Sequence, residues 1–274
     1  MQRATLREPA VAGMFYPGTP EALERDLTRY IVPDPAPHPL LGCIAPHAGY
    51  MYSGPVAGRL YGHLEIPERV IVLGPNHTGI GEAIAVAPHR AWKTPLGEEP
   101  VDVELAGLLV EELPGADFDA SAHWREHSLE VQIPFLLARN PAVRIVPIVL
   151  GFLPLEECLE LGATLARVIR RTGEPVGIVA SSDMTHYEPD AVARQRDRLA
   201  IEAALGLDPS TLYTEVRRHG ITMCGVVPAT VMLAAVRELG AESAHLVDYA
   251  TSGDTGGDRS SVVGYAGICV PRTS

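Results

Sequence analysis

The segment VIVLGPNHTG, Val70 to Gly79, is an apolar run that turns at a glycine and a proline and then reaches a histidine, His77. Short runs of valine, isoleucine and leucine are typical of strands that are covered on both faces of a sheet. Two other segments have the same form: GCIAPHAGY (42–50) contains His47, and GIVASSDMTHY (177–187) contains His186. A single histidine after a strand is usually structural or solvated, but three in corresponding positions predict a site.

Composition and charge restrict the class of protein. The chain has 274 residues, 46% of them hydrophobic and 20% charged, so it has enough apolar surface for a large buried core. Its formal net charge of −12 argues against a nucleic-acid partner, which requires clustered lysine and arginine. No apolar stretch approaches the roughly 20 residues needed to cross a bilayer, so no membrane partner is expected.

The N-terminal sequence and the cysteines indicate the compartment. MQRATLREPAVAGMFYP has charged residues and proline where a secretion signal has an apolar run. The four cysteines are widely spaced and form no CxxC pair, so we expect free thiols rather than disulfides at Cys43, Cys158, Cys224 and Cys269. Both features predict a cytoplasmic protein.

Apolar runs alternate with amphipathic segments along the chain, which is typical of parallel βαβ units. Strands are predicted at 42–45, 69–73, 83–87, 144–150, 176–181, 244–249 and 261–269. Helices are predicted at 54–64, 100–113, 126–139, 154–172, 190–205, 209–218 and 226–239, preceded by one with Thr19 as N-cap and Pro20 in its first turn. We therefore predict a single α/β domain over residues 1–274, a sandwich with a central, largely parallel or mixed sheet flanked by helices.

Such a fold gives the three histidines a shared location, because ligands of open α/β sheets gather at the carboxyl ends of the strands. His47 and His77 are 30 residues apart, about the length of one βαβ unit, so we expect them at the ends of neighbouring strands and in one crevice. His186 follows its strand in an equivalent position. Asp183, three residues earlier, is close enough to orient an imidazole or to meet a cation.

A second polar cluster lies in HWREHSLEVQIPFL, residues 123–136, where the spacing of apolar and acidic residues predicts a helix. His123, Glu126 and His127 would face either the cleft, as substrate-binding groups, or water, as the charged end of an amphipathic helix. The HxxEH pattern also resembles an inverted zinc-protease motif, in which His123 and His127 would hold a metal.

Cys224 lies in GITMCGVVPAT, residues 220–230, just before a predicted helix. A thiol at a helix N-terminus has a lowered pKa and is a good metal ligand or nucleophile. The alternative is a small buried apolar group, which is the usual fate of a free cysteine.

The glycine-rich segment 249–266 is best explained as a hairpin-like turn between two strands, although its glycines would also allow a backbone to approach an anion. Tyr50 and Trp92 would either stack on a ligand ring, as substrate-binding groups, or pack in the core. Three charged residues of the glycine-rich segment would border the site: Asp254, Asp258 and Arg259.

Seven ordered motifs resemble the Memo family, whose prokaryotic members are usually called AmmeMemoRadiSam system protein B. The motifs are AVAGMFYP, PHAGYMYSG, GPNH, EHSLEVQIPFL, SSDMTHY, MCG and YATSGD…SSVVGYA, and they run from about Ala10 to Ala266. The resemblance implies a fold similar to that of the class III extradiol (LigB-type) dioxygenases, an α/β sandwich around a mixed sheet.

The same resemblance implies a metal site of two histidines and a cysteine, which fall on His47, His77 and Cys224. His186 matches the acid/base histidine of the dioxygenases, and Asp183 lies beside it. Those dioxygenases complete their ligand set with a carboxylate, whereas this chain offers a thiol. Because a thiolate is softer and also favours copper or zinc, we expect iron or copper, with zinc as a further candidate, and ring cleavage of a catechol does not transfer directly.

The leading functional hypothesis is a metal-dependent redox or oxygenase-like enzyme that acts on a small-molecule or peptide ligand, with His186 and Asp183 as catalytic residues. The alternative is a non-catalytic binding or adaptor protein on the same fold, which works with AMMECR1-type and radical SAM proteins, as the family name implies. A zinc hydrolase with His186 or Glu126 as base is a third hypothesis. A homodimer is the default assembly.

Overall fold

The computed structural model describes residues 6–273, and the first five residues and the last residue of the predicted domain lie outside this range. The strands are β1 Leu6–Arg7, β2 His38–Ala45, β3 Leu64–Glu65, β4 Arg69–Pro75, β5 Ile84–Val86, β6 Ala91–Thr94, β7 Gly97–Pro100, β8 Ala116–Phe118, β9 Arg144–Leu150, β10 Val176–Ser181, β11 His186–Glu188, β12 His245–Thr251 and β13 Val262–Pro271. The helices are α1 Pro20–Tyr30, α2 Tyr50–Gly62, α3 Val103–Glu112, α4 Ile133–Arg139, α5 Leu155–Thr172, α6 Asp190–Leu205, α7 Pro209–Arg218, α8 Val226–Glu238 and α9 Ser252–Gly256. A 3-10 turn, Glu130–Gln132, leads directly into α4.

The main sheet has the strand order β11-β13-β2-β10-β4-β9-β5-β8, with β12 paired to β13 and β3 paired to β2. Its four central strands, β2, β10, β4 and β9, are parallel, and an antiparallel strand adjoins them on each side. The predicted class, an α/β sandwich with a mixed central sheet flanked by helices, is confirmed. The prediction that His47 and His77 follow neighbouring strands is wrong, because β10, which comes later in the chain, lies between β2 and β4.

Helices cover both faces of this sheet. On one face α8 packs against β2, β10 and β4, and α5 and α7 pack on α8; on the other face α2 contacts both α1 and α4. The close contact of α5 with α8 requires Gly162, where a Cβ atom would lie 2.7 Å from the carbonyl oxygen of Val231. Because both faces are covered, the central strands are continuous apolar runs. No helix among residues 6–273 is both long and apolar enough to span a membrane.

The segment predicted as a helix over 126–139 is helical only from Glu130 onward. Glu126 and His127 lie in the loop before it, and Glu126 is fully buried, so the prediction of a charged helix end in water is wrong. The HxxEH arrangement is also wrong. His123 is buried, its Nε2 donates to the carbonyl of Ala85 at 3.1 Å, and no helical turn places it beside His127.

Glu130 ties the N-terminal segment to the main fold. Its carboxylate accepts hydrogen bonds from the backbone N–H groups of Ala10 (2.8 Å) and Val11 (3.0 Å) and from the hydroxyl of Tyr16 (2.7 Å), and it pairs with the guanidinium of Arg7. A buried carboxylate is tolerated when it has this many donors. These contacts hold the N-terminal segment close to the loop that carries Glu126 and His127.

Glu99 on β7 has the opposite environment, since it is fully buried opposite Trp92 and, within residues 6–273, neither of its carboxylate oxygens has a hydrogen-bond partner. Burial raises the pKa of Glu99 from 4.5 to about 8. Because the folded-state pKa is the higher one, the neutral side chain favours folding below pH 4.5, and that contribution is lost as the pH rises through about 8.

We expect Glu99→Gln to change the free energy of unfolding little at pH 4.5 and to raise it by about 2–4 kcal/mol at pH 9. Glu98→Gln is the matched control, because Glu98 is the exposed neighbour on the same strand. Urea unfolding at the two pH values measures the difference. Equal pH profiles for the two variants would contradict the assignment.

Candidate metal centre

Three loops bring polar groups to the carboxyl ends of β2, β10 and β4. In each loop the second residue beyond the strand carries the group: His47 after β2, Asp183 after β10 and His77 after β4. Parallel pairing aligns these ends, with Ser181 of β10 in register with Ala45 of β2. All three side chains therefore lie together at the carboxyl ends of the central strands.

Cys224 reaches the same place from the segment that joins α7 to α8. It directly precedes Gly225, the N-cap of α8, where a Cβ atom would lie 2.3 Å from the carbonyl oxygen of Ser181. This close approach places the sulfur near the carboxyl end of β10, with Sγ 3.1 Å from Nε2 of His47. The donor atoms of His47, His77 and Cys224 all lie within 4.8 Å of one another.

These separations fit the ligands of one metal ion. Bonds of about 2.0–2.1 Å to histidine nitrogen and about 2.3 Å to a thiolate place neighbouring ligands of a tetrahedral ion roughly 3.3–3.8 Å apart. The sulfur-to-nitrogen distance of 3.1 Å and the upper limit of 4.8 Å bracket that range, so small side-chain adjustments are enough. The donor set of two imidazoles and a sulfur suits iron, copper or zinc.

Hydrogen bonds fix the tautomer of His47. The Ser181 hydroxyl donates its single proton to the carbonyl of Ser128 at 2.7 Å and accepts from the amide of Gln132 at 2.8 Å. Nδ1 of His47, which is 2.9 Å from the same hydroxyl oxygen, must therefore donate. Burial and the neighbouring histidines lower the pKa of His47, so the ring is neutral and its Nε2 is unprotonated, as a metal ligand must be.

Glu126 orients His77 in the same way. Its carboxylate accepts from Nδ1 of His77 at 2.9 Å, from the backbone N–H of His77 at 2.7 Å and from that of Ser128 at 2.9 Å. Burial acts to raise the pKa of Glu126, but the hydrogen bonds from His77 and Ser128 outweigh it and lower the pKa to about 2. The ionised carboxylate thus holds Nδ1 and leaves Nε2 of His77 for a metal.

His77, Glu126 and His127 form a second group whose donor atoms lie within 4.8 Å of one another. The Glu126 carboxylate already has three N–H donors, and Nδ1 of His77 faces that carboxylate. His127 stacks on His77 with ring centroids 4.6 Å apart and contacts the ring of Phe15 at 4.7 Å. This arrangement favours Glu126 as a positioning residue and His127 as part of the wall around the site.

The surroundings of Cys224 differ from the sequence-based expectation. Burial and the carboxylate of Asp183 raise the pKa of the thiol, so the predicted lowering at a helix N-terminus is wrong. The backbone N–H of Asp183 donates to Sγ at 3.3 Å and holds the sulfur in place. A thiol in such surroundings ionises when a cation binds to its sulfur.

His186 and Asp183 flank this cluster. On β11, Nδ1 of His186 donates to the carbonyl of Thr222 at 2.9 Å, so Nε2 is the ring nitrogen that does not take part in this hydrogen bond. Asp183 accepts from the backbone N–H of His47 at 2.7 Å and from that of Ala48 at 3.3 Å. Burial raises the pKa of Asp183 to about 6 against these hydrogen bonds. Asp183 therefore orients the His47 loop.

A cavity of about 790 Å³ opens beside the cluster, lined by His47, His77, His127, Asp183, His186 and Cys224 and by the rings of Phe15, Tyr52, Tyr187 and Tyr265. The other groups predicted to meet substrate lie behind its wall. Glu126 is behind His77, and Tyr50 is buried against Tyr16 and Phe135 with its hydroxyl donating to the carbonyl of Val131. Trp92 is also buried, and Cys43, Cys158 and Cys269 are buried free thiols.

Several residues that shape the site were not predicted from the sequence: Phe15, Ser128, Gln132, Ser181 and Thr222. Ser181 had a signal, because a polar residue closes the otherwise apolar strand VGIVAS. The others contact the site through loops that are distant along the chain, so no local pattern identifies them.

Comparison with known proteins agrees with the motifs. The family model described as Memo-like protein matches residues 7–269. A MEMO1 family protein of Aquifex aeolicus is 45% identical over 267 residues, covering 96% of this chain and 98% of its own. A MEMO1 family protein of Methanopyrus kandleri is 42% identical over 280 residues, covering 97% and 99%.

A solved structure is also similar in fold. An uncharacterized protein from Escherichia coli K12 superposes with a TM-score of 0.57 at 15% identity, covering 84% of this chain and 99% of that one. At this identity the similarity concerns the fold alone. The sequence relatives and the family model carry the assignment, and the chain belongs to the Memo-like protein family.

Proposed function

We propose that this protein binds one iron or copper ion through His47, His77 and Cys224 and uses it in a redox or oxygenase-like reaction on a ligand held in the adjoining cavity. The observation that supports this is the convergence of two imidazole nitrogens and one sulfur from three separate loops. In each of the two histidines Nδ1 is also hydrogen-bonded to a side-chain oxygen, as is common in metal-binding histidines.

Three protein ligands favour a reactive site over a structural one, because structural ions are usually enclosed by four. An iron or copper ion bound there would supply Lewis acidity and one-electron chemistry at its remaining position. The thiolate also accommodates zinc, which would restrict the site to Lewis-acid chemistry.

The chain's own residues hold and move protons beside this position. His186 lines the cavity with Nδ1 bound to Thr222, so its Nε2 can take a proton from a ligand or return one. Burial lowers the pKa of His127, despite the nearby Glu126, and keeps its ring neutral at the wall. Phe15 packs on His127 and limits the access of water from that side.

Metal analysis of protein purified without oxygen tests the proposal. We expect about one iron or copper ion per wild-type chain and loss of that ion in His77→Ala and Cys224→Ala. Glu126→Gln should weaken metal binding by about 10–100-fold, because it removes the charged acceptor that orients His77. His219→Ala is the control, since His219 is exposed at the end of α7. Full metal content in Cys224→Ala would refute the ligand set.

Thiol labelling gives an independent test, because Cys43, Cys158 and Cys269 are fully buried and Cys224 is not. We expect one equivalent of a small thiol reagent to react with the native metal-free protein, at Cys224, and to react faster at alkaline pH because the pKa of this thiol is raised. At alkaline pH, stoichiometric Zn²⁺ should slow this reaction by about tenfold or more, since a coordinated sulfur is a poorer nucleophile than a free thiolate and is covered by the ion. Equal rates with and without metal would remove Cys224 from the proposed site.

A further inference from the structure

The cavity beside the metal cluster has a one-sided charge pattern. Among the described residues that line it there are two acids, the buried Asp183 and the exposed Asp258, and no lysine or arginine. The chain as a whole has a formal charge of −12, which adds to the negative potential. A phosphate or carboxylate ligand would therefore find no permanently charged side chain to bind it.

Asp258 is free to meet a ligand. Its Oδ1 accepts hydrogen bonds from the backbone N–H and the hydroxyl of Ser260 at 2.8 and 2.7 Å, which lower its pKa and keep it ionised. The adjacent Arg259 is engaged elsewhere, with Asp190 at 3.0 Å and Asp254 at 2.8 Å. Within residues 6–273, no cationic side chain forms an ion pair with Asp258.

Tyr187 adds an exposed aromatic face to this cavity. Its φ of 61° lies in the left-handed region, which is uncommon for a tyrosine, at the point where β11 and β13 shift register between His186 and Glu188. The residue is 78% exposed, so its ring contributes little to the core. Strained residues with no packing role tend to serve ligands. Tyr52, 38% exposed, supplies a second accessible ring.

We propose that the cavity binds a small organic ammonium compound, recognised by the rings of Tyr52 and Tyr187 and by the carboxylate of Asp258. Aromatic faces attract ammonium groups, and the attraction increases when water is excluded. The inference rests on the proposed function for the ligand's position beside the metal, and it adds the chemical class of that ligand.

Three probes of similar size separate charge from shape: benzyltrimethylammonium, benzyl alcohol and phenylacetate. The ammonium probe has no lone pair and cannot ligate a metal, so its binding reports the cavity alone. In NMR titrations of the metal-free protein we expect it to bind about three- to tenfold more tightly than the alcohol, and phenylacetate to bind most weakly. Phenylacetate binding as tight as that of the ammonium probe would overturn the inference.

Variants of Asp258 and Tyr187 test which side chains recognise the ammonium group. Asp258→Asn should weaken the ammonium probe about three- to tenfold and leave benzyl alcohol unchanged. Asp119→Asn is the matched control, because Asp119 accepts the same two hydrogen bonds from Ser121 but does not line the cavity. Tyr187→Leu should weaken the ammonium probe and Tyr187→Phe should not. Equal effects of the two asparagine substitutions would overturn the proposal.

The titrations test the ligand class and the metal analysis tests the proposed function, so each can give a negative result without the other. If Cys224→Ala retained its metal while the ammonium preference persisted, the proposed function would be wrong and the ligand class would stand. If the metal bound as proposed and the charge preference were absent, the ligand class alone would be wrong.

Discussion

The pairing of β10 between β2 and β4 is the constraint on which the site depends. Strands in a sheet lie about 4.8 Å apart, so one intervening strand separates the two histidine loops by roughly 9–10 Å. With that span between the loops, the two imidazole rings lean toward each other until their centroids are 5.2 Å apart, which brings their donor atoms within reach of the one ion proposed here. Ser181 at the end of the middle strand and Asp183 in the loop after it hold the His47 loop in place, through the ring and the backbone N–H of His47.

Buried hydrogen bonds then make the loops rigid. Ser181 links His47 to the loop at Ser128, Glu126 links that loop to His77, and Glu130 at its end secures the N-terminal segment. Each acceptor is matched by donors, so these buried polar groups specify one arrangement instead of weakening the core. The proposed metal ligands on such a frame would be preorganised, because little conformational freedom would be left to lose on binding.

The sequence predicted those parts of the fold that depend on local periodicity. The central strands are apolar because both faces are covered, and α1 begins at Pro20 as expected. Prediction was wrong where distant contacts decide the outcome. Glu126 lies in a loop instead of a helix, where it accepts hydrogen bonds from His77. The 30-residue spacing between His47 and His77 gives no sign that β10, from later in the chain, lies between their strands. The raised pKa of Cys224 likewise reflects its burial in the fold and, after that, the carboxylate of Asp183, which is remote in sequence.

The thiol and the acidic cavity have a joint consequence for the proposed binding of a metal and an organic cation. With Cys224 protonated, a divalent ion would have to displace the thiol proton, and the ion would then bring positive charge into a cavity that we propose favours cations. An organic cation bound first would oppose this step by like-charge repulsion, and a bound ion would repel the ligand unless both the thiolate and Asp183 were ionised. Because Asp183 has a pKa of about 6 without a metal, the positive ion itself stabilises its charged form. If the metal binds as proposed, it would therefore complete a neutral base of the cavity, and the ion and an organic cation would then have little effect on each other's affinity.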